Sequence, residues 1–206
     1  MSARFVLPPH AAWHHRESRD GFEVVFFHQH EAGLRVEGHS AAVECGDPFA
    51  VRYAIEVDAE WRTHWAQIEG WSASGARSVA IRRESEGSWL VDGAPVPQLD
   101  GCLDVDLESS ALTNAFPIHR LGLSVGEEAD APAVYVRAQG LGVERLEQHY
   151  TCLAAPPGRQ RYGYVAPAFD FRCEIAYDEA GLVLDYPGIA TRADCRAAAF
   201  PNGEPC

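Results

Sequence analysis

The sequence predicts a mainly β protein, built as a single large curved antiparallel sheet that forms an open or partly closed barrel with one or two short helices. Apolar and polar residues alternate over many stretches, as they do in half-buried strands. Turn signals such as Asp92-Gly93 and Pro156-Pro157-Gly158 separate these stretches at short intervals. A sheet of about ten strands has to curl, because strand twist accumulates and open edges invite pairing with other chains.

The strands follow from the period of two along the chain. The clearest is FAVRYAIEVD, residues 49–58, in which large apolar side chains occupy every second position. The run FDFRCEIAYD, residues 169–178, repeats this design. Shorter alternating runs predict further strands at residues 23–28, 34–43, 61–71, 78–84, 88–92, 103–107, 134–139, 145–153, 162–165 and 182–186.

Two short helices are expected. Ser109 or Ser110 can cap a helical turn over residues 112–116, and Pro117 is expected to end it there. A terminal helix is predicted over residues 191–200, where Thr191 and a later aspartate resemble a capping box. A chain of 206 residues with 47% hydrophobic content predicts one domain over residues 1–206, with 1–15 and 193–206 peripheral or flexible.

Composition excludes several classes of function. A formal net charge of −13, with 17 arginines and no lysine, offers no basic surface for nucleic acid or anionic membranes. No apolar run is long enough to cross a membrane, and the N-terminus lacks a secretory h-region, so a cytoplasmic location is predicted. The six cysteines form no C-x-x-C pair, which favours free thiols over a zinc ribbon or a disulfide framework.

The stretch CLDVDLESSALTNAFPIHRLGL, residues 102–123, is the first candidate for a functional site, because a strand there passes into a polar, proline-interrupted run. Carboxylates accept hydrogen bonds from sugar hydroxyls, and tryptophan faces cover the apolar side of a pyranose ring. We therefore predict an apolar wall and a polar group that orients a headgroup. The wall is Trp61, Trp65 and Trp89, and the polar group is Asp104, Asp106, Asn114 and Arg120.

A structural interpretation of the same residues stays open. Asp104 or Asp106 can pair with Arg120 and fix the irregular segment onto the sheet. Asn114 would then satisfy backbone groups rather than a ligand. The aromatic residues at alternate positions can likewise be core rather than a ligand wall.

Several blocks of the chain resemble the bacterial putative glycolipid-binding family. They are LDGCLDVDL, TNAFPIHRLGL, Gln148 with Tyr150, and DEAGLVLDYPG, and the resemblance covers roughly Trp13 to Arg192. It implies a glove-like antiparallel sheet, similar to periplasmic lipoprotein carriers, with a ligand cleft and no established catalytic residues. It adds Arg62, Gln148, Tyr150 and Tyr186 to the ligand-binding candidates. His119 stands where the family usually has a second arginine, which weakens the case for a guanidinium clamp on an anionic headgroup.

We therefore predict a non-catalytic protein that binds a glycolipid or similar amphipathic ligand, with no cofactor. A hydrolase that uses Asp104 and Asp106 with His119 or His149 is one alternative. A structural or subunit-interaction domain is another, because an exposed edge strand can pair two copies into a homodimer. No metal site is predicted, since no third ligand follows from the spacing of His14-His15 or of His28 and His30.

Overall fold

The computed structural model describes residues 6–193 of the chain. Nearly all of its regular structure is strand. The strands are β1 His10–His15, β2 Asp20–His30, β3 Gly33–Glu44, β4 Asp47–Asp58, β5 Thr63–Ser72, β6 Gly75–Arg83, β7 Trp89–Val91, β8 Ala94–Pro95, β9 Asp104–Leu107, β10 Glu128–Asp130, β11 Ala133–Val136, β12 Val143–Leu146, β13 His149–Leu153, β14 Arg159–Ala166, β15 Phe171–Asp178, β16 Val183–Tyr186 and β17 Ala190–Arg192, with one α-helix, α1, at Ala115–Leu121.

Fourteen of these strands form one antiparallel sheet in the order β10-β13-β14-β15-β16-β17-β1-β2-β3-β4-β5-β6-β7-β8. Its terminal strands, β10 and β8, do not pair with each other, so the sheet is open. The predicted fold class is confirmed. Burial follows the predicted period of two; in β4, for example, Phe49, Val51 and Tyr53 are buried, whereas Ala50 and Arg52 are not.

A second, smaller sheet in the order β12-β11-β9 was not foreseen from the sequence. Its β9 and β11 pair in parallel, and every residue of both strands is buried. Burial on both faces is typical of parallel strands that are covered on each side. We call β9, β11, β12, the turn Leu112–Asn114 and α1 the inner layer.

The large sheet curves around the inner layer. This curvature is shown by strands that are far apart in the sheet order and yet contact the same inner layer. Tyr53 of β4 lies within hydrogen-bonding distance of Ser110, and Tyr150 of β13 donates to Asn114 four residues further along the chain. On β5, a Cβ atom at Gly70 would lie 3.0 Å from Leu141 in the loop between β11 and β12. The concave side of the sheet is therefore occupied by the protein's own chain.

Residues 10–15 do not lie at the periphery, although residues 1–15 were predicted to be peripheral or flexible. They form β1, which pairs with β2 on one side and β17 on the other. Trp13 of β1 is fully buried, and its indole nitrogen donates a 2.8 Å hydrogen bond to the carbonyl of Val183. The alternation over these six residues was too short to distinguish a central strand from an extended terminal segment.

The end of the described chain differs from its prediction as well. Ala190–Arg192 forms β17, and Thr191 pairs with His14 on the neighbouring strand β1. Thr191 therefore does not cap a helix. The remainder of the helix predicted over residues 191–200, from residue 194 on, lies outside the described residues, as do Cys195 and Cys206.

The strand predicted over residues 145–153 is divided between the two sheets. It separates into β12, in the inner layer, and β13, in the large sheet. The chain crosses at Glu147 and Gln148, and the carbonyl of Gln148 accepts a hydrogen bond from the backbone of Ala131. Alternation continues across a crossing of this kind, so the period alone does not reveal it.

Both edges of the large sheet are short. β8 has two residues, one of them Pro95, which has no N–H to donate. β10 has three residues and carries Glu128 and Asp130. Short, charged or proline-bearing edges are features that oppose pairing with another chain, so these edges give little support to an edge-strand homodimer. Within residues 6–193 there is no helix long and apolar enough to cross a membrane.

Candidate functional site

A cavity of about 230 Å³ opens between the inner layer and β14–β16 of the large sheet. Its surface is mostly aromatic and apolar, with a few charged and polar groups. We call it the aromatic cavity; its apolar lining includes Leu107, Tyr135, Leu146, Tyr164, Phe169, Phe171, Tyr186 and Ile189, and its polar lining includes Arg19, Glu44, Asp106, Glu108, Ser110, Asn114 and Arg137. Few polar groups in an apolar concavity are typical of small-molecule sites.

The rings of the cavity wall support one another. Tyr164 makes edge-to-face contacts with Tyr186 and with Phe171, at centroid separations of 5.8 and 6.2 Å. Phe171 and Tyr186 are 6.1 Å apart in the same kind of arrangement. Pairs of this geometry hold their rings in fixed orientations, which gives the cavity a preformed wall.

Asp106 is the buried carboxylate among the three that line this cavity, with Glu44 and Glu108, and β9 holds it there. It is only 6% exposed. The hydroxyl of Thr113 and the side-chain amide of Gln148 donate to its two oxygens, each at 2.6 Å. The Gln148 amide also donates to the Tyr164 hydroxyl at 3.0 Å, so Asp106 is connected through hydrogen bonds to the aromatic wall.

Burial raises the pKa of Asp106 from 3.8 to about 6, although the hydrogen bonds from Thr113 and Gln148 act in the opposite direction. The negative charges of Asp104 and Glu108 raise it further. The carboxyl therefore changes its protonation state close to neutral pH.

Asp106 is expected to make the folded state less stable as the pH rises. Because its folded pKa is about 6 and its ordinary value is 3.8, its contribution to stability is complete below the ordinary value and is lost as the pH passes through the folded one. The change is on the order of 2–3 kcal/mol. Urea unfolding should show that wild type loses stability relative to Asp106→Asn as the pH rises from about 4 to about 7, the interval that spans the two pKa values; a constant difference would contradict this account.

Asp104, two residues earlier on the same strand face, does not belong to the cavity. Arg120 of α1 donates to both of its oxygens, at 3.1 Å from Nε and 2.5 Å from Nη2. The Asp104 and Arg120 side chains are 2% and 12% exposed. Of the two interpretations that the sequence left open, the structure therefore shows the ion pair that fixes α1 to β9.

Asn114 lines the cavity but also has a structural role. Its side-chain oxygen accepts a 3.0 Å hydrogen bond from the Tyr150 hydroxyl, and its backbone carbonyl accepts one from Tyr177 at 3.3 Å. Both tyrosines are fully buried. The turn Leu112–Asn114 is thereby anchored to β13 and β15, and Tyr150 acts as support for the site rather than as part of its wall.

Residues 10–192 match the model of a family described as Putative glycolipid-binding. The chain belongs to the putative glycolipid-binding family. The resemblance found in the sequence is thus confirmed.

Two solved structures are similar to this chain. A DUF1089 family protein from Pseudomonas aeruginosa is 32% identical, with a TM-score of 0.72, over 83% of this chain and 92% of that one. A beta-barrel-like protein of DUF1849 from Brucella abortus is 11% identical, with a TM-score of 0.50, over 90% of this chain and 95% of that one, and shares the fold alone. The search of the curated proteins found no match.

The residues that carried the family resemblance are divided between several places. Asp106, Asn114 and Tyr186 line the aromatic cavity. Trp61 and Arg120 line a separate groove of about 610 Å³ beside α1. Asp104, Gln148 and Tyr150 are buried supports, and Arg62 lies at the surface, where it pairs with Asp58 and Glu60.

The predicted tryptophan wall is wrong as a single surface. Trp61 precedes β5, with a φ of 64°, and stacks on the His119 ring at 3.7 Å. Trp65 points away from the inner layer and lies beneath the guanidinium of Arg35, at 5.4 Å. Trp89 is fully buried and donates to the Cys102 carbonyl, so it is a core residue. Trp61 and Trp65 would lie on the same face only if one unbroken strand ran through both positions.

The histidines of the hydrolase alternative lie elsewhere. Burial lowers the pKa of His119 to about 3, so its ring on Trp61 is neutral at ordinary pH. His149 pairs with Asp130 on the edge of the large sheet, at 2.8 Å. Neither histidine is a hydrogen-bond partner of Asp106 among the described residues. Within the same residues, no group of three potential metal ligands is found, and four cysteines, Cys45, Cys102, Cys152 and Cys173, are free.

Most of the aromatic wall was not predicted from the sequence. Tyr135, Tyr164, Phe169 and Phe171 line the cavity, and none of the four is among the predicted ligand-binding residues. The one available signal was the inward parity shared by Tyr162 and Tyr164 and by Phe169 and Phe171. Parity does not tell a packed ring from one beside a cavity: Tyr162 is buried against Tyr177, whereas Phe169 is 40% exposed.

Proposed function

We propose that this protein binds a glycolipid or similar amphipathic molecule in the aromatic cavity and performs no chemistry on it. The observation that carries the proposal is the combination, in one concavity, of ring faces with the acceptors of Asp106 and Asn114. Ring faces cover the apolar side of a sugar, while carboxylate and amide oxygens accept hydrogen bonds from its hydroxyls. The family name supports the same class of ligand.

The size of the cavity limits which part of the ligand enters it. Its volume of about 230 Å³ is below the ~300–1,000 Å³ that is usual for sites enclosing a drug-sized ligand. We therefore place one sugar ring in the cavity, with the acyl chains outside it. The inner layer occupies the space on the concave side of the sheet that a carrier of whole lipids would keep open.

The non-catalytic role rests on the surroundings of Asp106. Its hydrogen-bond partners are Thr113 and Gln148, which are not a general acid or base. A buried carboxylate that is held in this way can position a hydroxyl without activating it. The cytoplasmic location and the homodimer that were expected from the sequence stay predictions.

Native mass spectrometry of freshly purified protein, followed by organic extraction, tests the function directly. We expect a bound amphipathic molecule to come off. The protein should also bind octyl β-glucoside, a single sugar ring on a short chain, below its micelle concentration. A protein that purifies empty, and takes up neither this glucoside nor any lipid from a total extract, would refute the proposal.

Phe169→Ala is expected to weaken octyl glucoside binding about tenfold, because loss of a ring contact costs about 0.5–1.5 kcal/mol in addition to its buried area. Phe169 lines the cavity and is 40% exposed, so its removal should leave the fold intact. Phe22→Ala is the matched control: Phe22 is 38% exposed, on the outer face of β2. Isothermal titration calorimetry should show a loss for the first variant only; equal losses would show that the glucoside binds elsewhere.

A further inference from the structure

Asp106 has acceptor capacity that the protein does not use. A carboxylate offers about four lone-pair positions, and two are taken by the hydroxyl of Thr113 and the amide of Gln148. The side chain lines the aromatic cavity, so a ligand in the cavity can supply further donors. The two existing bonds hold the carboxylate in place for them.

The charges around Asp106 are unbalanced. Asp104 is neutralised by Arg120, and Glu108 pairs with Arg137 at 3.3 Å. No ion pair formed by residues 6–193 includes Asp106. Asp104 and Glu108 are instead the neighbouring charges that disfavour its ionised form. A cation on the ligand would supply the missing counter-charge.

The aromatic wall accepts cations. The guanidinium of Arg137 already lies over the rings of Tyr135 and Phe169, 5.2 and 5.1 Å from their centroids. Both rings line the aromatic cavity. The electron-rich faces of such rings attract ammonium groups as well as guanidinium groups, so the lining and the carboxylate favour the same chemistry.

We propose that the sugar bound in the aromatic cavity is an amino sugar whose protonated amine pairs with Asp106. This inference rests on the proposed function and narrows it to headgroups that carry a primary ammonium. The hydroxyls of the ring are left to Asn114 and to the tyrosines of the wall. A neutral sugar enters the same cavity but leaves the charge on Asp106 uncompensated.

Two probes test this inference: octyl β-glucoside and octyl 2-amino-2-deoxy-β-glucoside, which differ in one hydroxyl replaced by an ammonium. Near pH 7 and at physiological salt, calorimetry should show the amino sugar binding about tenfold to a hundredfold more tightly, the range for a hydrogen bond to a charged group. Displacement of one probe by the other shows that they share a site. Physiological salt screens general attraction of the amine to this acidic protein.

The tighter binding of the amino sugar over the glucoside should depend on the charge of Asp106. It should shrink at about pH 5, where the carboxyl is protonated before ligand binds. The titratable and charged groups that face Asp106 or line the same cavity are the carboxyls of Glu44, Asp104 and Glu108, the guanidinium groups of Arg19 and Arg137, and the hydroxyls of Tyr135, Tyr150, Tyr164, Tyr177 and Tyr186. The tyrosines have raised pKa values and stay neutral over this range, so they do not account for such a change.

Asp106→Asn should bring the two probes to within about threefold of each other, since it removes the charge but keeps the shape. Asp185→Asn removes one charge from the exposed side of β16, next to Tyr186, and should leave the preference intact. If Asp106→Asn does not fold, a carboxyl NMR titration of wild type replaces it. The amino sugar should then lower the pKa of Asp106 by clearly more than octyl glucoside does, because a cation favours the ionised carboxyl more strongly than a hydroxyl donor.

The outcomes separate this inference from the proposed function. Equal affinity for the two probes, or an unshifted Asp106, would refute the amino-sugar inference and leave glycolipid binding in place. Failure of both probes to bind would refute the amino-sugar inference; it would refute the proposed function as well if the protein also purifies empty and takes up no lipid from a total extract. A preference that survives Asp106→Asn would show that another group recognises the amine, and would refute the role of Asp106.

Discussion

Arg120→Ala is expected to destabilise the fold by about 3–5 kcal/mol, the usual cost of removing one partner of a buried ion pair. Asp104 is 2% exposed and has Arg120 as its ion-pair partner. Without the guanidinium, its carboxylate would remain buried with no ion-pair partner and only the charge of Arg83 to favour its ionised form, and α1 would lose its ion pair with β9. Urea unfolding at neutral pH measures the loss.

Arg62→Ala is the matched control for this variant. Arg62 also forms ion pairs, with Asp58 and Glu60, but its side chain is 41% exposed. Exposed pairs contribute about 0–1 kcal/mol. The two arginines were both sequence candidates for ligand binding, and the contrast shows what separates them. Similar small losses in both variants would mean that the Asp104–Arg120 pair is not buried as described.

A double replacement distinguishes pairing from simple packing. Asp104→Leu combined with Arg120→Met removes both charges together, and such exchanges are often neutral or stabilising. We expect the double variant to be more stable than Arg120→Ala. If it is equally unstable, the cost of Arg120→Ala comes from lost packing of the side chain and not from the unpaired carboxylate.

Glu23→Leu is the second substitution with a large expected effect, a loss of about 3 kcal/mol or more. The Glu23 carboxyl is fully buried. It accepts hydrogen bonds from the hydroxyls of Tyr53 and Ser110 and from the backbone of Ala111, at 2.6, 2.5 and 2.8 Å. Leucine would remove the acceptor of all three donors, at about 1–3 kcal/mol for each donor that stays unpaired; the Tyr53 and Ser110 hydroxyls, 3.3 Å apart, can pair with each other.

Glu69→Leu, a change of the same residue types on an exposed part of β5, provides the reference. It is expected to alter the free energy of unfolding by less than about 0.5 kcal/mol. Denaturant unfolding of both variants at neutral pH is the measurement. A loss for Glu23→Leu that is no greater than the reference would show that the buried network is not formed.

The hydrogen bonds around Glu23 also explain why position 38 is a glycine. The ring of Tyr53 lies across Gly38 on the neighbouring strand to reach Glu23, and a Cβ atom at Gly38 would lie 2.0 Å from its Cζ. This position therefore needs a residue without a side chain. Sequence alternation places Gly38 on an inward face but does not show why it is small.

The sequence predicts the strands of this fold better than their arrangement. Periodicity places Val51 and Tyr53 inward because one face of β4 meets the core. It does not reveal which residues meet across that core, since this depends on contacts between distant parts of the chain. The parallel pairing of β9 with β11 is such a contact, and the sequence between them gave no sign of it.

The candidate site was likewise predicted only in part: single residues were found, but their arrangement was not. The sequence identified Asp106 and Asn114, because polar side chains in an irregular segment require an explanation. It could not tell Asp106 from Asp104: the two share a strand face, and only the position of Arg120 separates a structural carboxylate from one in the cavity. Apart from Tyr186, the aromatic wall was missed because its rings come from β11, β14, β15, β16 and the turn Pro167–Phe169, which only the folded chain brings together.

The pairing of β1 with β17 has a consequence for the order in which the protein is made. Trp13 is paired with Arg192 at the centre of the sheet. The ribosome releases one of these residues early and the other only after nearly the whole described chain. Until then β1 presents an open edge in the nascent polypeptide, and pairing of such high sequence separation is slow to form. In newly synthesised chains, pairing of that edge with another copy therefore competes with completion of the sheet.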